Sequence, residues 1–268
     1  MMRYSLGLPE SSGQRYWLLE TASLPEHEVL RRCYEAIENP EFRWLYEATA
    51  HDALKSAGPV LLDVTETPDF LAERLDAWGD LAMVVIDTPL SIDEVQAHLA
   101  SFVTARLEPE GEGLWRFHEP MALHLLLGEG LLSHGQQAAI LGRETRWHWP
   151  ICRCRDGWLF ESAESGQAET TSVPLPLTID PETARRLSGL QQLKRLMPVL
   201  AGALDRHALH DDHDSISALW RELESYWHNV SAKRLPSRKA AQALAEAERD
   251  AATLHEFRDC MQRLASTE

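Results

Sequence analysis

The sequence predicts a chain of the α+β or α/β class: an N-terminal mixed sheet with flanking helices, joined to a C-terminal all-helical lobe. Three observations predict it. From Arg15 to about Glu161, short apolar strand-like runs alternate with helical patterns. Residues 162–178 are rich in Ser, Gly, Thr and Pro (Ser165-Gly166, Thr170-Thr171-Ser172, Pro174, Pro176) and show no sustained periodicity. Beyond them, apolar residues recur at helical spacing. The chain therefore divides into an α/β lobe over residues 1–162, a linker over 163–179 and a helical lobe over 180–268.

In chain order, the expected strands cover residues 16–20, 42–49, 60–64, 82–87, 114–118, 146–152 and 157–161. The first helix is signalled by Ser23 and Glu26, spaced as a capping box, ahead of Val29, Leu30, Cys33 and Ile37. Thr67-Pro68 opens a second, because proline is tolerated in the first turn, and Leu71, Leu75 and Trp78 turn inward. Ser91 with Glu94 starts a third, whose Ile92, Val95, Leu99 and Phe102 share one face.

Asp180-Pro181-Glu182 starts the helical lobe. Its three amphipathic patterns run through Leu187, Leu190, Leu193 and Met197, then Ile216, Leu219, Leu223 and Tyr226, then Leu244, Ala247, Ala251, Leu254 and Met261. Pro198 is expected to kink or end the first, and Pro236 to separate the second from the third.

Composition narrows the function classes. With 268 residues, 44% of them apolar, and nine tryptophans, the chain can bury a substantial core, so disorder is excluded. The N-terminus, beginning Met1-Met2-Arg3-Tyr4-Ser5, lacks the apolar run of a secretory signal. The richest apolar stretch, residues 123–132, is interrupted by His124, Gly128, Glu129 and Gly130, so no membrane span is expected. Four cysteines in so long a chain make no disulfide framework, which fits a reducing cytoplasm.

The net charge of −16 is unevenly placed. Residues 1–180 hold 29 Asp and Glu against 13 Lys and Arg, whereas residues 181–268 hold 13 of each. An acidic lobe repels phosphate backbones, so no nucleic-acid partner is expected; the densest basic group, Lys233-Arg234 with Arg238-Lys239, reads as a solvated helix edge.

No phosphate-cradling glycine loop, dinucleotide fingerprint or nucleophile elbow occurs, so neither nucleotide nor other cofactor is expected. His27-Glu28 and His255-Glu256 begin a zinc-protease pattern, but the positions that need a second histidine hold Arg31 and Asp259. His207, His210 and His213, with Asp211, Asp212 and Asp214, offer metal-ligand chemistry; the plainer reading is a solvated turn, and no metal is expected. Cys152 and Cys154 share one strand face and read as buried small apolar groups. Core packing is the default for Trp78, Trp115, Trp158 and Trp220, while Trp147 and Trp149 fit either a core or an exposed recognition face. No catalytic constellation emerges, and the chain is read as a non-enzyme.

Two stretches carry a resemblance. One is Trp44-Leu45-Tyr46 followed, after a helical spacer, by Ala57-Gly58-Pro59-Val60-Leu61-Leu62-Asp63-Val64; the other is Gly113-Leu114-Trp115-Arg116-Phe117-His118-Glu119-Pro120. Their order across roughly residues 16–130 resembles the type VI secretion adaptor family, the Tap or TEC chaperones, long catalogued as a domain of unknown function. The chain departs from the family pattern at His118, usually an aromatic residue, and Glu119, usually Asp.

Physical roles for these residues stand beside the resemblance. Gly58-Pro59 gives a rigid turn before a buried strand. Phe117 belongs to the core, and Pro120 ends one element and starts the next. Arg116 and Glu119 flank that turn and read as an internal ion pair, with direct contact to a bound partner as the alternative. The resemblance implies a cytoplasmic adaptor that binds a cognate toxic effector and loads it onto the VgrG spike, with Gly58, Pro59, Trp115, Arg116, Phe117, Glu119 and Pro120 as its motif residues. The competing readings are an immunity-type inhibitor that plugs a toxin and, behind it, a metal-dependent hydrolase.

Overall fold

The computed structural model describes residues 3–11, 13–22, 24–25, 27–78, 83–107, 111–165, 173–189, 194–209, 212–232 and 237–266. Its strands are β1 (Arg3–Leu6), β2 (Gln14–Leu19), β3 (Phe42–Trp44), β4 (Val60–Asp63), β5 (Met83–Thr88), β6 (Thr104–Leu107), β7 (Gly111–Leu114), β8 (Arg146–Cys154), β9 (Gly157–Glu164) and β10 (Leu177–Ile179). Its helices are α1 (Glu28–Ala36), α2 (Pro68–Ala77), α3 (Ile92–Ala100), α4 (Pro120–Leu123), α5 (His134–Leu141), α6 (Pro181–Ser188), α7 (Met197–His207), α8 (His213–Ala232), α9 (Ser237–Asp250) and α10 (Leu254–Ser266). The class is α+β. No described helix is long and apolar enough to cross a membrane.

The chain separates into two compact units that interleave in sequence. Among the described residues, the first comprises those of Pro9–Trp149 and Ser162–Leu187, and the second those of Arg3–Leu8, Pro150–Glu161 and 188–266. Within 163–179, residues 163–164 complete β9 and residues 177–179 form β10; residues 166–172 lie outside the described part.

In the first unit the strand order is β8–β5–β2–β4–β3. Its described pairings are antiparallel rather than mixed. The central strand β2 reads Gln-Arg-Tyr-Trp-Leu-Leu and is buried from Arg15 to Leu19, because both faces of the sheet are covered. On one face Trp17 stacks on Trp78 at 5.3 Å, with Phe70 edge-on to both. A smaller sheet, β10–β6–β7, pairs β6 with β7 antiparallel and β10 with β6 in parallel.

The α3 capping box forms as expected: Ser91 Oγ accepts the Glu94 N–H, and Glu94 accepts the Ser91 N–H. Ser133 and Gln136 repeat it at α5, where glutamine replaces the glutamate that makes the motif easy to see. Ser23 and Glu26 lie outside the described residues; α1 starts at Glu28, after His27 in the left-handed region (φ 63°) and with no side-chain cap.

Several expected elements are corrected. The strand over 42–49 stops at Trp44, where the chain turns. The strand over 114–118 ends at Leu114: the Glu119 N–H closes a turn on the Arg116 carbonyl, and Pro120 opens α4. Pro198 stands in the first turn of α7, where its missing N–H costs nothing, so it opens that helix instead of kinking it. The third amphipathic pattern is two helices, α9 and α10, because Thr253 Oγ1 accepts the Glu256 N–H while Glu256 accepts those of Ala252 and Thr253, starting a new helix. Leu190, Leu193 and Pro236 lie outside the described residues.

In the second unit, Val199, Leu200, Ala203 and Leu204 of α7 share a core with Leu219, Trp220 and Leu223 of α8, Leu244 of α9, and Phe257 and Met261 of α10. Arg206 donates to the carbonyls of Arg249 (2.6 Å) and Ala251 (3.3 Å), placing a cation at the carbonyl end of α9.

Candidate functional site

β2 ends at Leu19, and the next residue, Glu20, is a carboxylate only 3% exposed. A charge so placed must be paired or it is costly. Its Oε2 accepts from Arg116 Nη2 at 2.7 Å and lies 3.2 Å from His118 Nε2, while its Oε1 accepts the Ala22 N–H at 3.0 Å. Burial by itself raises this carboxyl's pKa. Hydrogen bonds from His118 and the Ala22 amide, together with attraction from His118 and Arg116, outweigh burial and hold it at about 2.

The second motif wraps around that carboxylate. The Trp115 N–H still bonds the Val103 carbonyl (2.8 Å), continuing the β6–β7 pairing by one residue. The Glu119 N–H then closes a turn on the Arg116 carbonyl (3.3 Å), and Pro120 opens α4. Phe117 is fully buried against Phe102, Trp115, His118 and Trp147. Arg116 Nη2 also reaches Glu119 Oε1 at 3.3 Å, and its side chain stays 43% exposed. One exposed guanidinium thus bridges two acids.

The first motif reaches the same place from the other side. Gly58 precedes β4, and a Cβ there would lie 2.3 Å from Tyr46 Cδ2, so the close approach of the Tyr46 ring requires glycine. Thr21 Oγ1 donates to the Gly58 carbonyl (2.8 Å), and the Leu45 N–H donates to that of Pro59 (2.9 Å). Burial pushes the Tyr46 hydroxyl up to about 12, with the Glu20 charge adding to the rise and Arg116 opposing it.

The structure therefore brings Arg116 onto one buried acid, joins Glu119 to it through Arg116 and Gly58 through the neighbouring Thr21, and leaves Pro59, Phe117 and Pro120 in the adjoining turns and core, with Trp115 half-buried. Sequence reasoning missed Glu20 and Thr21 as site residues, named Tyr46 only within the resemblance and noted His118 only as a departure. The available signal was a lone carboxylate closing an otherwise apolar strand.

A second polar cluster lies elsewhere in the same unit. Arg15 grips Asp87 with two bonds (Nε to Oδ1 2.7 Å, Nη2 to Oδ2 2.8 Å), His148 Nε2 lies 3.1 Å from Asp87 Oδ2, and His148 Nδ1 lies 2.6 Å from Ser162 Oγ. Ser, His and Asp in that order suggest acyl transfer. Ser162 is 7% exposed, His148 is fully buried and Asp87 is paired with Arg15, and the bonds tie together β2, β5, β8 and β9.

The remaining sequence candidates are placed as follows. Trp147 and Trp149 are core. Cys152 and Cys154 are buried with their sulfurs 3.8 Å apart. Glu28 pairs with Arg31 and Arg32, and His255 with Asp259. His207 ends α7, while His210, Asp211 and the His213 side chain lie outside the described residues, as do Lys233, Arg234 and the side chains of Arg238 and Lys239. Among the described residues no group of His, Cys, Asp and Glu is arranged to hold a metal ion.

Fold and site together define an α+β protein whose first unit locks two loop motifs onto one buried carboxylate. Residues 15–138, from β2 into α5, match the family model described as Domain of unknown function (DUF4123). No curated protein and no solved structure matches the chain.

Proposed function

We propose that the chain is a non-catalytic adaptor of type VI secretion, which binds a cognate toxic effector in the cytoplasm and loads it onto the VgrG spike. The match over residues 15–138 supports this reading, because the DUF4123 family is associated with type VI effector adaptors. The observation that carries it is the Glu20 clamp. The two segments on which the family resemblance rests, far apart in sequence, meet at one buried acid and leave Arg116 facing outward. A clamp of this kind fixes loops in one shape before a partner arrives, which lowers the ordering cost of binding.

The test is capture of partners by the tagged chain from its native host under secretion-active conditions, with mass spectrometry of what is bound. A large toxin-like protein recovered together with the spike is the expected result. A toxin alone whose activity is blocked replaces the adaptor with an inhibitor, and recovery of neither overturns both.

A further inference from the structure

β3 is the outermost strand of its sheet, and an open edge is either protected or used. Strand alternation sends Phe42 and Trp44 to one face and Arg43 to the other. On the first face Tyr34 of α1, 55% exposed, meets Phe42 edge-on at 6.4 Å between ring centroids, and Phe42 meets Trp44 in the same way at 6.1 Å. Phe42 and Trp44 are themselves only half-buried. The three rings form an apolar ledge along the edge.

The opposite face of the same edge is acidic. Arg43 donates to Asp93 (2.6 Å) and Glu41 (3.2 Å), so a single cation is shared by two carboxylates. Asp63 and Glu94 stand close by: with Glu41 and Asp93 they add to the effect of burial in pushing the Tyr16 hydroxyl up to about 12. On α1, Arg31 and Arg32 are held by Glu28, and Arg31 also by Glu35. The edge therefore carries an apolar ledge on one face and, on the other, an acidic patch whose cation Arg43 is already paired.

The backbone decides how the edge can be used. Bonds from the Asp63 N–H to the Glu41 carbonyl and from the Leu45 N–H to the Pro59 carbonyl set the register, so the backbone groups of Phe42 and Trp44 face away from β4. Their carbonyls are taken: that of Phe42 accepts from Arg43 Nη1 (2.9 Å), and that of Trp44 accepts from Gln96 Nε2 and the Glu47 N–H, both at 3.3 Å. A full ladder cannot be added there, so recognition falls to side chains.

We propose that this edge docks an extended, basic, apolar-studded segment of a partner polypeptide whose alternate side chains straddle β3, with Arg or Lys on the acidic face and apolar side chains against Tyr34, Phe42 and Trp44. The acidic face supplies charge complementarity, the rings supply apolar contact, and an extended segment sends alternate side chains to the two faces. The inference rests on the adaptor reading in that the occupant is a polypeptide partner, and it names the chemistry by which that partner is held.

The probe is a short synthetic peptide alternating Arg and Leu, titrated by calorimetry into the full chain beside a matched peptide with Glu in place of Arg. The Arg peptide is expected to bind with strong salt dependence and the Glu peptide not at all. Tyr34→Ala should weaken binding about fivefold, and Glu41→Gln with Asp93→Asn should remove most of the salt dependence. Equal binding of both peptides, or binding unchanged in these surface variants, overturns the inference. So does a concentration-dependent dimer lost in Tyr34→Ala, which assigns the ledge to a second copy. If the wild-type chain captures no secretion partner yet keeps its preference for the Arg peptide, the adaptor reading fails and the docking chemistry survives. If capture succeeds and Tyr34→Ala leaves it intact, the ledge fails and the adaptor reading survives.

Discussion

Arg116 Nη2 lies 2.7 Å from Glu20 Oε2, although the two residues are 96 positions apart in the chain. The partners are unequal, for the Glu20 side chain is 4% exposed and that of Arg116 is 43% exposed. Removing either one should therefore have different consequences.

Arg116→Ala leaves Glu20 with His118 and the Ala22 amide, and should cost about 1 kcal/mol. Glu20→Ala strips the clamp of its centre and leaves His118 buried without this partner, and should cost about 3 kcal/mol. Urea unfolding followed by circular dichroism measures both; equal losses would show that the exposed half of the pair matters as much as the buried half.

Acid should weaken the first unit in a defined window. Glu20 is held at about 2 against an ordinary 4.5. Asp87 is also held at about 2, against an ordinary 3.8: burial raises it, and the Arg15 and His148 bonds and charges outweigh burial. The unfolded chain takes up protons at these carboxyls before the folded one does. Their contribution is complete above about pH 4.5 and is lost as pH falls toward 2. Denaturation at a series of pH values should show this slope, and Glu20→Gln should remove part of it.

Gly58→Ala should destabilise by about 2 kcal/mol, because the new methyl group meets the Tyr46 ring. In a Tyr46→Ala background the same change should cost much less. A double-mutant cycle measures the coupling, and simple additivity would place the cause in the backbone instead.

Asp87→Ala should be among the most damaging single changes, at about 3–5 kcal/mol, since it leaves the Arg15 side chain, 10% exposed, without its carboxylate. Ser162→Ala removes one hydroxyl from His148 and should cost about 1–2 kcal/mol. If Ser162→Ala instead abolishes a hydrolytic activity that leaves stability untouched, the brace is an active site.

Thiol chemistry should follow burial. Burial pushes Cys33 up to about 12, and Cys152 is raised well above its ordinary value by its bond to Cys154 and then by burial. Cys260 is partly exposed. Iodoacetamide at neutral pH should mark Cys260 in the folded chain and the other three only after denaturation, as read by peptide mass spectrometry.

Much of the fold was legible along the chain. β2, β4, β5, β8 and β9 coincide with apolar runs bounded by turn residues, and α3 was announced by Ser91 and Glu94, since a capping box is complete within four residues. β1, β6 and β10 were missed because each has only three or four residues, too few to establish a period, and is held by its neighbours. The break between α9 and α10 was missed because Leu244, Ala247, Ala251 and Leu254 keep helical spacing across it, while the capping pair Thr253 and Glu256 that starts α10 is small and polar.

The site divides in the same way. Sequence by itself determined the local pieces: the bend at Gly58-Pro59, the Arg116–Glu119 pair and the helix start at Pro120, all of which depend on residues within a few positions of one another; it left the class between α+β and α/β, which strand pairing decides. Only the tertiary structure decided that Tyr46, Gly58, Arg116 and His118 gather at one acid, Glu20, and that Tyr34, Phe42 and Trp44 form a single ledge. A buried charge is satisfied by whichever donors the packed core brings to it, and no pattern along the chain records that distance.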